Sequence, residues 1–173
     1  MIELIPRFER ALAKRNPLLV QLLQPGLSEA DVQKQLRTAG ITGIHKPICS
    51  LYSWKNGTRT TRGRTLEELS LFPQSPFCFE ELQQMLAHFV GFREFAENNP
   101  GFAAAVGRCF PLFWDSSSQW IAIDLKSAKG RVVLFDSEMA PPIQELYCSF
   151  AEFLEDAIRA NEENHGLSCF HKR

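Results

Sequence analysis

Four carboxylates in the second half of the chain, Asp115, Asp124, Asp136 and Glu138, fall at or near the ends of segments rich in β-branched and aromatic residues. Paired carboxylates can carry out glycoside or phosphoryl chemistry when a shaped pocket and further donors surround them. The sequence names no such donors. Aspartates at strand ends commonly bond their own backbone, so a turn-forming or partner-facing role is the expectation for these four. His165, Cys169 and His171 bring three metal-ligating side chains together within seven residues. They lack the fourth ligand and the folded frame of a zinc site, and chain ends commonly fray; no metal and no cofactor is expected. The chain contains no GxSxG, P-loop, HExxH or dinucleotide fingerprint, and it is expected not to be an enzyme.

The tryptophans point to binding instead. Strand alternation places Trp120, Ala122 and Asp124 on one face and Ile121, Ile123 and Leu125 on the other. The aliphatic set must face the core. Two readings of the opposite face stay open. Left uncovered, it would present Trp120 beside Asp124, a pairing typical of interface hot spots. Covered by N-terminal helices, it would make Trp120 ordinary core, since a sheet can be buried on both sides. Trp114, Asp115, Trp120, Asp124 and Asp136 are the candidate partner contacts. Arg59, Arg62 and Arg64, in a basic, turn-rich stretch, are read as a solvated loop, with contact to an acidic partner or a phosphate as the alternative.

The elements that must position these residues are legible in the pattern. Residues 110–114, 120–125 and 131–135 read as three strands joined by short polar turns. Connections this short require antiparallel neighbours. Ser149 and Glu152 form a capping-box pattern, followed by Phe150, Phe153, Leu154, Ala157 and Ile158 on one helical face. Upstream, Ile2, Ile5, Phe8, Ala11 and Leu12 mark a first amphipathic helix, broken at Asn16-Pro17. Leu18, Leu19, Leu22 and Leu23 form a second short apolar segment. Ser28 caps a third helix that stops at Gly40, with Leu27 and Val32 placed for a hydrophobic staple. Pro47 opens a fourth, expected to end near Asn56-Gly57. A strand over residues 66–72 and a helix over residues 79–97 are expected, with Gly91 weakening the latter. Residues 102–106 are ambiguous. The expected fold class is α+β, an antiparallel sheet with N-terminal helices and a C-terminal amphipathic helix packed on it, in a single domain over residues 1–173.

The motifs occur in a particular order: N-terminal helices, the run Pro47-Ile48-Cys49-Ser50-Leu51-Tyr52-Ser53-Trp54-Lys55-Asn56-Gly57, then Phe110-Pro111-Leu112, the Asp124-Leu125 strand end, Gly130-Arg131-Val132, and Ser149-Phe150 followed by Phe153-Leu154. In this order and spacing, over about residues 25–160, the chain resembles the SUKH superfamily, which groups bacterial toxin-immunity proteins with fungal cell-wall assembly regulators. It departs from that pattern before the second strand, where Asp115-Ser116-Ser117-Ser118-Gln119 replaces a Gly-Asp turn. The resemblance implies a protein-binding module, and an immunity protein that neutralises a cognate toxin by direct binding. The alternative it implies is a regulatory scaffold; the fungal relatives typically carry long disordered flanks, and the immunity reading is the one expected for this chain. A small hydrolase using strand-end acids is the third reading.

Composition fits a soluble chain expected in the cytoplasm. Of 173 residues 45% are apolar, enough for a sizeable core. No run approaches a membrane span and no signal-peptide pattern is present. Five scattered cysteines suggest reduced thiols rather than a disulfide framework. Net charge is −1, so no global attraction to nucleic acid is expected. Residues 110–158 nevertheless carry eight acids against three bases. This local imbalance suggests either a solvated surface or steering of a basic protein partner.

Overall fold

The computed structural model describes residues 3–59, 63–101 and 103–170. Helix α1 (Leu4–Arg15) buries Ile5, Phe8, Ala11 and Leu12 on one stripe. Asn16 ends it and accepts from the Leu19 amide, which starts α2 (Pro17–Leu22) with proline in its first turn. Strand β1 (Leu23–Pro25) follows, then α3 (Glu29–Thr38), capped by Ser28 and closed at Gly40 with φ +80°. Helix α4 (Lys46–Trp54) leads into β2 (Lys55–Thr58), antiparallel to β1. Ile2 and Phe102, part of the sequence patterns, lie outside the described residues.

Three expectations in this half are corrected. The helix after Pro47 ends at Trp54, because Asn56 and Gly57 are used elsewhere: Asn56 Oδ1 accepts from the Leu82 amide, and Gly57 sits at φ +84°. A Cβ on Gly57 would lie 2.5 Å from the Glu81 nitrogen, so only glycine lets β2 press against that segment. Residues 66–72 are no strand. Thr65 and Glu68 form a full capping box that starts the short helix α5 (Leu66–Leu69). The long helix α6 (Leu82–Asn98) begins three residues later than its pattern suggests, since the Phe79 carbonyl accepts from the Thr58 amide and its ring is fully buried. It runs unbroken through Gly91.

After α7 (Ala103–Val106) comes a four-stranded antiparallel meander of β3 (Cys109–Trp114), β4 (Gln119–Asp124), β5 (Val132–Asp136) and β6 (Ile143–Tyr147), in that spatial order. The three expected strands are present. The fourth was not anticipated, because its half-exposed Ile-Gln-Glu-Leu-Tyr run carries little β signal. Leu112 is a bulge residue: Pro111 pairs with Ala122 and Phe113 with Ile121. The extra residue returns Phe113 to the same face as Phe110.

Ile121, Ile123, Val132 and Leu134 face the main core with α1, α4 and α8 (Phe150–Glu163). Phe153 of α8 meets Phe72, Phe113 and Tyr147, at ring distances of 5.5, 5.8 and 5.5 Å. The opposite face is not open. Phe92 and Ala96 of α6 and Val106 of α7 cover Ala122, Val133 and Phe135 in a second apolar cluster. The covering helices are the ones just before the sheet, not the N-terminal ones.

Ser149 caps α8 by accepting from the Glu152 amide, but Glu152 accepts from the Cys148 amide rather than closing the box on Ser149. Arg15 ties the ends of the fold together, donating to Asn161 Oδ1 at 2.6 Å and to the Ser70 carbonyl at 3.0 Å. Buried Asn161 in turn donates to the Leu71 carbonyl. Buried Asp156 accepts from the Tyr147 hydroxyl, the Ser168 amide and Arg159, at 2.7, 2.8 and 3.0 Å. No helix among the described residues is long and apolar enough to cross a membrane.

Two stability outcomes follow. Ile123, 3% exposed on the main core face, should cost about 2–5 kcal/mol as Ile123→Ala in a urea melt; a cost under about 0.5 kcal/mol, the surface value, would contradict this placement. Burial alone would raise the Asp156 carboxyl, yet its hydrogen bonds and Arg159 hold it below the usual carboxylate range. A depressed folded-state value gives stability that is present above the unfolded value of about 4 and lost as pH falls through the folded one. Asp156→Asn should therefore cost about 2–3 kcal/mol at neutral pH, and the gap to wild type should shrink on acidification. A gap constant with pH in parallel urea melts would refute the assignment.

Candidate functional site

The β3–β4 hairpin and the β5–β6 connection lie at the same end of the meander, and the aromatic side chains collect there. Trp114 and Trp120 are directly paired across β3 and β4, their rings nearly parallel at 7° with centroids 6.2 Å apart. His88 of α6 lies against both, 4.7 Å from Trp114 and 5.7 Å from Trp120. Phe92 meets Trp120 edge-on at 5.2 Å, and Phe135 lies 5.5 Å from the same indole. Such aromatic contacts are each worth about 0.5–1.5 kcal/mol beyond burial. Both tryptophans remain partly exposed, so the cluster is core on its inner side and surface on its outer side.

The backbone beneath this ledge is held on every side. Cys78 bonds Trp114 in both directions, N to O at 2.8 and 3.1 Å, which closes the β3 edge at that residue. Asp115 accepts from the Ser117 and Gln119 amides and from the Ser117 hydroxyl. Ser116 within this turn takes φ +65°, so the Asp-Ser-Ser-Ser sequence builds its turn through the Asp115 carboxylate. The Trp114 indole donates to the Ser117 carbonyl at 3.2 Å. Across the sheet, Gln119 Nε2 donates to Asp136, which also accepts from the Glu138 amide. Met139, half exposed, sits in the adjoining β5–β6 connection.

Of the five expected contacts, Trp114, Asp115, Trp120 and Asp136 do come together at this end. Asp124 does not: it pairs with Cys109 at the other end of β4, about 13 Å along the strand from Trp120 at ordinary strand rise. The expectation of a Trp120–Asp124 patch on an open sheet face is corrected by α6 and α7 lying over it. Asp124 and Asp136 are only 5% and 6% exposed, and their carboxylates are taken by turns. Asp124 accepts from the Lys126 amide and lies 3.3 Å from the Arg108 guanidinium.

His88 and its neighbour Glu80, 3.6 Å away, were missed from sequence. The available signal was spacing: His88 stands one helical turn before Phe92, on the stripe that meets the sheet. In the basic stretch, Arg64 pairs with Glu68 at 3.2 Å, while Arg62 lies outside the described residues.

The cysteine thiols nearby are poorly suited to act as nucleophiles. Burial pushes the Cys78 thiol up to about 11 and the Cys109 thiol up to about 12, and protonated thiols are poor nucleophiles. Exposed Cys148 is also raised, chiefly by Glu152. His171 is outside the described residues, and among those described no three His, Cys, Asp or Glu side chains are grouped to hold a metal. What the ledge can do is present rigid apolar area with a polar rim.

Because Asp124 serves the backbone, Asp124→Asn should lower stability by about 1–3 kcal/mol, read by thermal or urea melting. An unchanged melt would show that its carboxylate is not needed where it lies. A search with protein-family models finds no family that matches this chain, and a search of curated proteins finds no relative.

Proposed function

We propose that the chain is a non-enzymatic protein-binding module, an immunity protein of the SUKH kind that neutralises a cognate bacterial toxin by binding it directly. The observation that carries this reading is the Trp114–Trp120–His88 ledge, which is partly exposed yet fixed by the Cys78 bridge and the Asp115 turn. Rigid aromatic anchors lose little entropy on binding and dominate interface energetics. The partner contacts are Trp114 and Trp120 for area, with the acidic rim of Asp115 and Glu138 and the half-exposed Met139 around them. Asp136 contributes from beneath by holding the loop that carries Glu138. The resemblance of the motif order to that of toxin-immunity proteins supports the partner class. The protonated, buried thiols support the non-enzymatic part.

Any toxin domain found encoded beside the gene is the partner to test, by surface plasmon resonance. Trp114→Ala should weaken binding by about 2 kcal/mol or more, mainly through faster dissociation. Trp114 is preferred to Trp120 for this test because it is less involved in the second apolar cluster. Unchanged affinity in a variant shown to be folded by circular dichroism would move the interface elsewhere, to the basic stretch at Arg59 and Arg64 first. Generic phosphodiester, ester and glycoside substrates should show no turnover with the purified protein. Turnover that disappears in Asp136→Asn with folding intact would replace this reading with a hydrolase.

A further inference from the structure

The opposite end of the meander carries the other sign of charge. There the β4–β5 turn meets the start of α4 and the start of α8, and a groove of about 690 Å³ opens between them. Lys46, Lys126 and Lys129 stand exposed on its walls, and none has a carboxylate partner among the described residues. Its lining also includes Pro47, Leu125 and Ala128, with Ile44 at the rim, 68% exposed. Ile44 is the most exposed of the large apolar side chains described.

The groove is preformed. Asp124 Oδ1 accepts from the Lys126 amide and the Asp124 carbonyl from the Ser127 amide, both at 3.0 Å. Ser127 Oγ accepts from the Arg131 amide at 2.9 Å, and the Lys129 carbonyl accepts from the Phe150 amide at 3.2 Å, which fastens the turn to the first residue of α8. Gly130 has φ +69°, and a Cβ there would lie 2.9 Å from Pro47 Cγ, so the turn packs directly on α4. The two lysines are thus carried on a turn whose backbone is held in place by hydrogen bonds and packing, which lowers the ordering cost of binding. The N-termini of α4 and α8 add positive potential along the same walls.

We propose that this groove is a docking site for an acidic, partly apolar segment of a partner protein. Charge complementarity selects the acidic side chains, and Ile44 with the apolar lining selects a protein segment over a bare polyanion. The chain's net charge of −1 and the acids on α8 disfavour a nucleic acid running beyond the groove. The site is separate from the tryptophan ledge and does not depend on the toxin reading.

The probe is a short fluorescein-labelled peptide of alternating glutamate and leucine, followed by anisotropy at low and at physiological ionic strength. Saturable binding is expected at low salt, weaker at higher salt. Lys126→Glu with Lys129→Glu should weaken it by about tenfold or more. Ile44→Ser should weaken it by about fivefold, the effect of losing part of one apolar side chain's burial. Arg10→Glu with Lys14→Glu, exposed on α1 and outside the groove's lining, should leave it unchanged. All three lysine and isoleucine positions are exposed, so the variants should keep the wild-type circular dichroism; a Lys126→Gln, Lys129→Gln pair gives the same direction without charge reversal. The proposal is overturned by absence of saturable binding, by equal loss in the α1 pair, by no loss in Ile44→Ser, or by an oligonucleotide of equal charge binding as tightly as the peptide.

Discussion

The two central strands of the meander are apolar on both faces, and the rest of the structure answers to that. Ile121 and Ala122 are adjacent in β4, point to opposite sides, and are both fully buried. Val132 and Val133 in β5 are likewise adjacent, on opposite sides and buried. A sheet of this kind must be covered twice, or it would expose a large apolar surface. Helices α1, α4 and α8 supply one cover. The C-terminal half of α6, with α7, supplies the other, and Ala122 is small enough to let them approach. The two clusters cover both faces of the sheet and leave its ends, with the β6 edge, toward the surface.

Covering both faces also decides the use of the acidic residues. The stretch with eight acids against three bases does not present a uniform negative surface. Asp124, Asp136 and Asp156 are buried, and each accepts hydrogen bonds from turn or helix-end amides. Asp115, half-buried, braces its own turn while staying at the rim of the ledge. A buried carboxylate is tolerable only when donors surround it, and here the donors are the backbone groups that the meander's connections would otherwise leave unpaired. Half of these acids are therefore fasteners of the fold, while Glu138, Glu145, Glu152 and Glu155 stay exposed, so the surface field is weaker and more local than the composition suggests.

An up-and-down meander places alternate connections at opposite ends. The β3–β4 and β5–β6 connections share one end with the tryptophan pair. The β4–β5 turn stands at the other with its lysines. Each end is braced from outside the sheet: Cys78 holds Trp114, and Phe150 of α8 holds the β4–β5 turn. The sheet edges are managed separately. Cys78 closes β3, while β6 carries a bulge at Leu146 and an exposed Glu145 paired with Arg131, features that discourage strand addition.

Local pattern alone determined the elements with strong periodicity or strong caps. The β3, β4 and β5 strands, the antiparallel order, the Ser28 and Ser149 caps and the apolar stripe of α8 all depend on residues within a few positions of one another. The division of β4 into an Ile121/Ile123 face and a Trp120/Ala122/Asp124 face was legible for the same reason. Other features required contacts distant in sequence. Asn56 caps a helix that begins at Leu82, so the Asn-Gly pair reads locally as a helix end when it in fact seats α6. Whether the Trp120 face was open could not be read from β4, because its cover comes from a helix whose own stripe fits either core. His88 acquired its place only when α6 crossed the sheet, and Asp124 became a brace rather than a contact only once Arg108 and the Lys126 amide closed on it. The sequence by itself set which side chains alternate and where segments start. Tertiary structure decided which of them reach solvent, because burial is a property of what packs on a face and not of the face alone.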